Sequence, residues 1–293
     1  MSEIDRYTIV RLRNGAHSVH SADFGETMHP GLGPAAEADE LYVRQTRLLE
    51  RLRATTDEFV IWDVGLGAAA NALAVLRACR DTSTPLHLIS FENTTAPLEL
   101  ALRERAALGY FTGYEVQVES LLARHATEFQ NGTQPVRWEL RVADFPVLVE
   151  SDVMRALPKP HTILHDPWSP AKNPAMWTAP LFAAMFRLLD PARPCVLPTY
   201  SRSTMLRVSL LLAGFHVGAG RATGQKEETT IAANDPALIE APLDARWLER
   251  AQRSGSAEPL WEPHYRQAPL TPETLALLRE HPQFFVPPST VPA

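Results

Sequence analysis

The sequence predicts a doubly wound, Rossmann-like α/β fold built on a mainly parallel sheet. Apolar runs of strand length alternate with helical segments from Glu58 onward, beginning with EFVIWDV, GLGAAANALAVLRAC and PLHLISFE. A glycine-rich turn follows the first run, and both strand runs of this first unit carry an acid at or near their ends. Such alternation is typical of parallel strands that are covered by helices on both faces.

Further units of the same kind follow along the chain. They are VRWELRV, HTILHD and CVLPTY, and the helical run STMLRVSLLLA then ends at Gly214 in the usual C-terminal manner. Next, FHVGAG and EETTIAAN are separated by a short polar stretch, which predicts a closing antiparallel hairpin. The class I methyltransferase form of the doubly wound sheet ends in such a hairpin, whereas a plain dinucleotide-binding sheet does not.

We predict three regions: an N-terminal hairpin and helical cap over residues 1–55, the sheet domain over 56–235, and a Pro-rich tail over 236–293. Asn14-Gly15 stands between two β-prone runs and is the favoured two-residue hairpin turn. One helical stretch is expected from about Ala35 to Arg53. The tail is expected to pack on the domain, with one weak helix around Glu273 to Glu280.

Composition narrows the function classes. No apolar run reaches the roughly 18 residues of a membrane span, and the start has no signal-peptide core, so we expect a cytoplasmic protein without a membrane partner. Cys79 and Cys195 lie in apolar stretches and are expected to be reduced core residues. No metal is expected, because no cluster has metal-ligand spacing. The net charge of −6 means that an RNA partner would need a local basic patch.

The strongest local motif runs from Asp63 to Asn71, DVGLGAAAN, directly after a strand and at the start of a helix. Gly65 and Gly67 allow a ligand to approach the backbone closely, and the helix N-terminus presents free N–H groups. Ala69 weakens a dinucleotide interpretation, which requires a third glycine. The motif predicts a nucleotide or adenosyl ligand; the alternative is a merely tight strand-to-helix turn.

Two acids follow neighbouring strands. Glu92 ends the second strand, where a carboxylate can accept hydrogen bonds from both ribose hydroxyls, and its alternative is a solvated strand-end acid. Asp144 follows WELRVA and would lie beside the adenine in the same scheme. Its alternative is the N-cap of a helix that begins at FPVLVE.

The predicted active-site loop is HDPWSPAKNP, residues 165–174, because ligands bind at the carboxyl edge of parallel sheets. Asp166-Pro-Trp-Ser loosely resembles the tetrapeptide of methyltransferases that modify amino nitrogens. The Asp166 carboxylate can orient an amine and help to remove its proton, or it can simply cap the loop. Trp168 and Trp177 are candidates for stacking, although each is more often a core residue. A lone histidine such as His29 or His165 is usually structural, although either could assist proton transfer.

Four ordered motifs resemble the methyltransferase half of the MnmC family, bacterial enzymes that complete 5-methylaminomethyl-2-thiouridine at the tRNA wobble position. The resemblance runs from about Ser18 to Asn234. Its strongest part is DPWSPAKNPAMWT, where the family has Asp-Gly-Phe-Ala-Pro-x-x-Asn-Pro-x-Met-Trp. The others are Gly65-Leu-Gly67 with Asn71 and Leu73, Ser90-Phe91-Glu92, and Thr199-Tyr200 with the helix that follows.

The resemblance implies a cofactor, a catalytic residue and a substrate. S-adenosylmethionine would be held by a set of six residues, namely Gly65, Gly67, Asn71, Glu92, Asp144 and Phe145. Asp166 would be the catalytic acid that receives the aminomethyl nitrogen. Substrate-binding residues would be His29, Trp168, Lys172 and Asn173. The chain departs from the family at Ala69, Pro167 and Trp168, and we expect no flavin-dependent oxidase half in it.

The leading hypothesis is methyl transfer to an aminomethyl uridine in tRNA. Candidate phosphate contacts are Arg44, Arg47, Arg51, Arg53, Lys172, Arg202 and Arg207, and the alternative for these side chains is an ordinary solvated surface. A second hypothesis keeps the cofactor but changes the acceptor to a small amine or a protein nitrogen. A third is a non-catalytic adenosyl-binding scaffold, and a fourth, disfavoured by Ala69, is an NAD-dependent oxidoreductase.

Overall fold

A computed structural model describes residues 2–223 and 227–284 of the chain. Within these residues the strands are β1 (Tyr7–Arg11), β2 (His17–Ser21), β3 (Glu26–Thr27), β4 (Phe59–Val64), β5 (Leu86–Glu92), β6 (Ala126–Asn131), β7 (Gln134–Val142), β8 (Thr162–His165), β9 (Val196–Thr199), β10 (His216–Gly220) and β11 (Thr229–Ala233).

The α-helices are α1 (Pro34–Ala38), α2 (Leu48–Ala54), α3 (Ala70–Cys79), α4 (Ala96–Arg103), α5 (Arg105–Leu108), α6 (Glu115–Arg124), α7 (Phe145–Leu148), α8 (Asp152–Ala156), α9 (Ala179–Leu188), α10 (Thr204–Leu212), α11 (Ala245–Gln252) and α12 (Pro272–Glu280). Short 3-10 helices lie at Glu3–Arg6, Pro174–Trp177 and Pro236–Leu238, and a π-helical segment lies at Asp39–Arg44. None of the helices in the described ranges is long and apolar enough to cross a bilayer.

The main sheet has the strand order β10-β11-β9-β8-β4-β5-β7-β6. Neighbouring strands from β9 to β7 are parallel, so their carboxyl ends meet at one edge of the sheet. The predicted doubly wound α/β fold is confirmed, and so is its closing hairpin, in which β10 and β11 pair antiparallel from His216–Ala233 to Gly220–Thr229. Strand β6 was not predicted, because ATEFQN is largely polar and only partly buried at the sheet edge.

Strand β4 shows why the continuous apolar runs form the centre of the sheet. All six of its residues are buried, and alternate side chains point to opposite faces. Phe59 and Ile61 join the core under α3, α4 and α6, while Val60, Trp62 and Val64 join the core under α9 and α10. The two apolar layers hold the carboxyl edge of the sheet in place as a rigid platform.

The N-terminal extension forms a separate three-stranded sheet in the order β1-β2-β3. The predicted hairpin at Asn14-Gly15 is present, but its loop has three residues rather than two, because Leu12 N donates to Ala16 O. Gly15 takes φ +87°, as a three-residue hairpin loop requires. The predicted helical stretch from 35 to 53 is present, but it is not one continuous helix. It is divided into α1, the π-helical segment and α2, with Arg47 in the left-handed region at φ +50°.

The tail packs against the edge strand β10. Ala219 N donates to Ala241 O and Leu243 N donates to Val217 O, which covers backbone groups that an edge strand would otherwise expose. The predicted helix near 273–280 is confirmed as α12. Helix α11 was missed because ARWLERAQ buries only Trp247 and Ala251. Residues 285–293 of the predicted tail lie outside the described part of the chain.

The two cysteines are buried and form no disulfide. Cys79 is the last residue of α3, and Cys195 directly precedes β9. Burial raises the pKa of each thiol to about 12, so both stay protonated at neutral pH. They contribute to the core as small apolar side chains, as the sequence predicted.

Candidate active site

A cavity of about 430 Å³ opens at the carboxyl edge of the parallel strands. The turn after β4, the end of β5, the segment after β7 and the loop after β8 all contribute to its lining. The segment that follows β2 closes it from above the sheet edge. Its volume is within the range of small-molecule sites, and its position is where doubly wound sheets bind their ligands.

The glycine turn forms the floor of the cavity. Gly65 and Gly67 have φ values of +95° and +51°, and Ala69 follows at +60°, so the chain leaves β4 through a left-handed path. A Cβ at Gly65 would lie 3.0 Å from the backbone oxygen of Asp166, and a Cβ at Gly67 would lie 3.1 Å from Cε of Met28. Both glycines are therefore required by close approach as well as by backbone conformation.

Glu92 points its carboxylate into this cavity. Its Oε2 accepts a hydrogen bond from Gly67 N at 2.8 Å, and its Oε1 accepts one from Asn93 N at 2.9 Å. Burial raises the pKa of Glu92, and the backbone N–H donors oppose that shift. A carboxylate oriented in this way is not a freely solvated strand-end acid.

Asp144 and Phe145 line the same cavity. Asp144 is the N-cap residue of α7 and its backbone oxygen accepts from Leu148 N, but its side chain makes no capping hydrogen bond. The Asp144 carboxylate therefore does not cap the helix, which was the alternative that the sequence left open. The Phe145 ring packs edge-on against Phe91, with the ring centroids 5.2 Å apart.

Asp166 lies at the centre of the site and is paired with a residue from the N-terminal extension. Its Oδ2 lies 2.9 Å from Nε2 of His29 and accepts a hydrogen bond from Nδ2 of Asn71 at 2.7 Å. Both partners of the ion pair are nearly buried, with side-chain exposures of 9% for His29 and 11% for Asp166. Asn71, which the sequence predicted as a cofactor-binding residue, lines the same cavity, and here its amide donates to the Asp166 carboxylate.

The electrostatics of the pair are set by mutual attraction. Burial alone would lower the pKa of His29, but Asp166, with help from Glu37 and Asn71, outweighs burial and raises it to about 9. Burial would raise the pKa of Asp166, yet His29, Asn71 and Tyr42 together hold it below its ordinary value. At neutral pH the site therefore holds a carboxylate paired with an imidazolium.

The segment after β2 makes further contacts with the active-site loop. Phe24 stacks on Trp168 with the ring centroids 5.0 Å apart, and the Glu26 carboxylate accepts from the backbone and hydroxyl of Ser169. Met28 covers Gly67 from the same side. The sequence did not predict the roles of these residues. It marks DFGETMHPGLGP as a Gly- and Pro-rich segment and leaves open whether GETMHP contacts the cofactor.

The active-site loop is held from below by buried residues. Trp177 Nε1 donates to Trp168 O at 2.7 Å, and the Tyr200 hydroxyl donates to Pro167 O at 3.0 Å. Trp177 is fully buried, so it is a core residue rather than a stacking platform. His165 is also buried, and this burial lowers its pKa to about 4, which assigns it the structural role.

A buried acid beneath the cavity was not recognised from the sequence. Asp63 is fully buried at the end of β4 and accepts a hydrogen bond from the Ser90 hydroxyl at 2.8 Å. Ser90 in turn accepts from Trp138 Nε1. Burial, reinforced by repulsion from Asp166 and Glu92, raises the pKa of Asp63 to about 7. The motif DVGLG therefore includes a buried acid that links β4 to β5 inside the sheet.

The predicted phosphate contacts divide into two groups. The prediction is wrong for Arg51 and Arg207, because both guanidinium groups donate hydrogen bonds inside the fold. Arg51 donates to Thr162, and Arg207 donates to Thr230. Arg207 is only 3% exposed. A charged residue type cannot reveal from sequence that its head group is buried.

The other candidates are exposed, and several of them lie close to acids. Arg44 pairs with Asp39 and Glu40, and Arg47 lies 3.8 Å from Glu50. Arg53 is exposed on α2. Lys172 lies on the active-site loop, and its Nζ would be 3.9 Å from a Cβ at Gly25. Arg202 follows the cavity residue Tyr200, and its guanidinium group lies 3.6 Å from the Glu227 carboxylate. Lys172 and Arg202 are the basic side chains that the fold places next to the cavity.

Comparison with known proteins agrees with this geometry. A family model described as S-adenosyl-L-methionine-dependent methyltransferase matches residues 115–235. The bifunctional tRNA 5-methylaminomethyl-2-thiouridine biosynthesis protein MnmC of Aeromonas hydrophila is 30% identical over 258 residues, covering 81% of this chain and 37% of the relative. The chain is an MnmC-like, S-adenosyl-L-methionine-dependent methyltransferase.

Other comparisons define how far the similarity extends. The MnmC protein of Aeromonas salmonicida is 28% identical over 236 residues, which cover 73% of this chain and 33% of that protein. The chain thus spans about a third of the length of these relatives. The crystal structure of MnmC2 from Aquifex aeolicus shares the fold, with a TM-score of 0.66, 24% identity, and coverage of 94% of this chain and 83% of that one.

The cavity of this methyltransferase fits its cofactor. Glu92 offers a carboxylate, already oriented by two backbone N–H groups, where ribose hydroxyls can donate to it. Gly67 brings backbone without a side chain to the floor of the cavity, beside Met28, and α3 begins at Ala70. Asp144 retains a carboxylate without a capping bond beside the aromatic ring of Phe145. Among the described residues, no group of three or more His, Cys, Asp or Glu side chains is arranged to hold a metal ion.

Proposed function

We propose that this methyltransferase methylates an amino nitrogen, and that its acceptor is the aminomethyl group of a modified wobble uridine in tRNA. The observation that carries the proposal is the nearly buried Asp166 carboxylate, which faces the cavity beside the glycine turn. The acceptor is suggested by the relatives named for tRNA 5-methylaminomethyl-2-thiouridine biosynthesis. A cytoplasmic location goes with this proposal, because tRNA is modified there.

Five of the lining residues would hold the cofactor. Gly65 and Gly67 would let the cofactor approach the protein backbone closely. Glu92 would accept hydrogen bonds from the ribose hydroxyls, and Asp144 with Phe145 would contact the adenine. When bound, S-adenosylmethionine supplies an electrophilic methyl group on sulfur. The sulfonium cation also suits a cavity lined by several carboxylates.

The acceptor side is centred on Asp166. Its carboxylate would accept an N–H of the amine and so direct the nitrogen lone pair, while Asn71 fixes the carboxylate by donating to Oδ2. Trp168 and Asn173 line the cavity next to it and would contact the uridine. Lys172, together with Arg202 outside the cavity, would contact tRNA phosphates.

A second acceptor class is favoured by a specific observation. The cavity lining includes five acids, Glu26, Glu37, Glu92, Asp144 and Asp166. Two of the candidate phosphate contacts, Arg51 and Arg207, donate hydrogen bonds inside the fold instead. This acidic lining suits a small or protein-borne amine as well as an aminomethyl base. A non-catalytic scaffold is less well supported, because it would not need the positioned carboxylate of Asp166.

Transfer of a labelled methyl group separates these functions. The protein is incubated with methyl-labelled S-adenosylmethionine and either tRNA from a strain that accumulates the aminomethyl uridine or a panel of small amines. We expect label in the modified uridine of tRNA. Label only in small amines would overturn the tRNA assignment, and label in neither would favour the scaffold.

Two substitutions make the experiment specific. Asp166→Asn removes the charge of the cavity carboxylate, and we expect it to abolish transfer while calorimetry still detects cofactor binding. Asp152→Asn is the matched control, because Asp152 is 94% exposed on α8 and pairs with the exposed Arg155. Equal transfer by the two variants would contradict the role of Asp166.

A further inference from the structure

His29 is held at Asp166 by the N-terminal extension rather than by the sheet. It directly follows Met28, whose backbone oxygen accepts from the Ser18 hydroxyl, and its own backbone is left-handed at φ +47°. This conformation is uncommon for a residue other than glycine, although histidine is among those that tolerate it. The result is a nearly buried imidazole with Nε2 placed 2.9 Å from Asp166 Oδ2.

Amine methylation makes two conflicting demands on a buried carboxylate. The carboxylate must accept an N–H so that the nitrogen is oriented, but it must not trap the amine as an ammonium ion, which has no free lone pair. An unpaired buried carboxylate stabilises an ammonium ion strongly. A carboxylate already paired with a cation keeps its hydrogen-bond acceptor capacity and loses most of its preference for a charged partner.

The charged and titratable groups around His29 favour its protonated form, which pairs with the carboxylate as a cation. Asp166 faces it from the loop after β8, and Glu37 acts on it from α1. The polar amide of Asn71 faces it from α3. Tyr42 and Tyr200 both lie close enough to Asp166 to interact with its charge. These surroundings raise the pKa of His29 through the attraction of Asp166 and Glu37, against the effect of burial.

We propose that His29 is a positioning residue that acts through Asp166: its imidazolium neutralises the carboxylate, so that the site binds the acceptor as a neutral amine. This inference rests on the proposed amine methylation. The acceptor loses its extra proton to water before it binds. Its nitrogen then forms the N–C bond as the S–C bond of the cofactor breaks, and the product leaves as a secondary ammonium that releases its proton to water.

The proposal predicts where the pH dependence of the reaction lies. In the wild-type protein only the neutral amine binds, so KM for the amine falls as pH rises towards the amine pKa while kcat stays nearly constant. In His29→Asn the unpaired carboxylate binds the ammonium, so KM at neutral pH falls. The kcat of that variant falls by roughly tenfold or more at neutral pH and recovers as pH rises.

The variants are chosen so that folding does not decide the result. Asparagine tolerates left-handed backbone, so His29→Asn keeps the conformation and removes the charge. His125→Asn is the matched control, because His125 also has a positive φ, +56°, but caps α6 away from the cavity. We expect this control to reproduce the wild-type KM and kcat profiles. His29→Gln, with a longer side chain, provides a second test of charge removal.

A titration that does not depend on turnover checks the pair itself. NMR of the histidine side chains, with the His29 signal assigned by its loss in His29→Asn, should show a protonated imidazole at neutral pH that becomes neutral in Asp166→Asn. A neutral His29 at pH 7 in the wild-type protein would overturn the proposal. So would a uniform loss of kcat in His29→Asn without any change in its pH dependence.

Failure of the proposed function has a different signature. If the wild-type protein transfers no methyl group to any amine, both the proposed function and the role of His29 in it are overturned, even if NMR finds the ion pair. If the wild-type protein methylates the amine and His29→Asn shows the wild-type KM and kcat profiles, only the inference about His29 is overturned.

Discussion

Gly65→Ala tests whether the glycine turn positions the active-site loop as well as the cofactor. Gly65 has φ +95°, and a Cβ there would lie 3.0 Å from the backbone oxygen of Asp166 and 3.3 Å from Pro167 N. These contacts are with backbone, which cannot rotate away as a side chain would. The alanine methyl should therefore displace the Asp166–Pro167 peptide and move the carboxylate with it.

Gly113→Ala supplies the matched comparison. Gly113 has φ +89°, close to that of Gly65, but a Cβ there would have no neighbour within 4 Å. Both substitutions carry the backbone cost of about 1–2 kcal/mol for an L-residue with positive φ. The difference between the two variants then isolates the collision with the loop. The loop must shift by at least a few tenths of an ångström to accept the methyl group, and a misplacement that reaches about 1 Å can reduce turnover by roughly 100-fold.

The assay combines urea unfolding with steady-state methyl transfer. We expect similar losses of unfolding free energy in the two variants, with a larger loss in Gly65→Ala, and near wild-type turnover in Gly113→Ala. Turnover in Gly65→Ala should fall by roughly 100-fold, together with cofactor affinity. If Gly65→Ala and Gly113→Ala have the same turnover, the argument that this turn positions Asp166 is refuted.

Three further predictions follow from the site. Glu92→Gln should weaken S-adenosylmethionine binding by roughly 10- to 100-fold, since a charge-assisted hydrogen bond contributes about 1.5–3 kcal/mol. In calorimetry the control Glu99→Gln, on α4, should bind the cofactor normally, and equal affinities of the two variants would remove Glu92 from the cofactor site. Arg51→Met should lower the free energy of unfolding in urea by about 2–4 kcal/mol because it leaves buried oxygens unpaired, while the exposed Arg53→Met should change it very little. Loss of tRNA affinity without loss of stability in Arg51→Met would show that Arg51 does contact phosphate. The pKa of His29 is raised from 6.5 to about 9, so its contribution to the free energy of unfolding, of the order of 3 kcal/mol, is complete below pH 6.5 and is lost as pH rises through 9. The difference in unfolding free energy between wild type and His29→Asn should narrow over that range, and a constant difference would contradict the ion pair.

The parts of the fold that could be predicted are those that short stretches of sequence determine. The continuous apolar runs define β4 and β5, and the glycine pair at Gly65 and Gly67 marks the turn between β4 and α3. The closing hairpin was equally visible. Strand β6 was not, because its residues alternate between buried and exposed at an edge and few of them are apolar.

The composition of the site depends on contacts between distant segments. Asp166 was identified because it ends a strand in a recognisable loop, but its partner His29 lies 137 positions earlier, in an extension with no periodic pattern. No local rule distinguishes His29 from the buried, structural His165. The same limit applies to Arg51 and Arg53, which differ only in the direction that α2 turns them.

A crystal structure of the protein with S-adenosylmethionine bound tests the central claim most directly. We predict that the ribose hydroxyls lie within hydrogen-bond distance of Glu92 and that the transferable methyl group points towards the Asp166 carboxylate, with His29 still paired to it. A structure in which Met28 and Phe24 fill the cavity, or in which the methyl group points away from Asp166, would contradict the account.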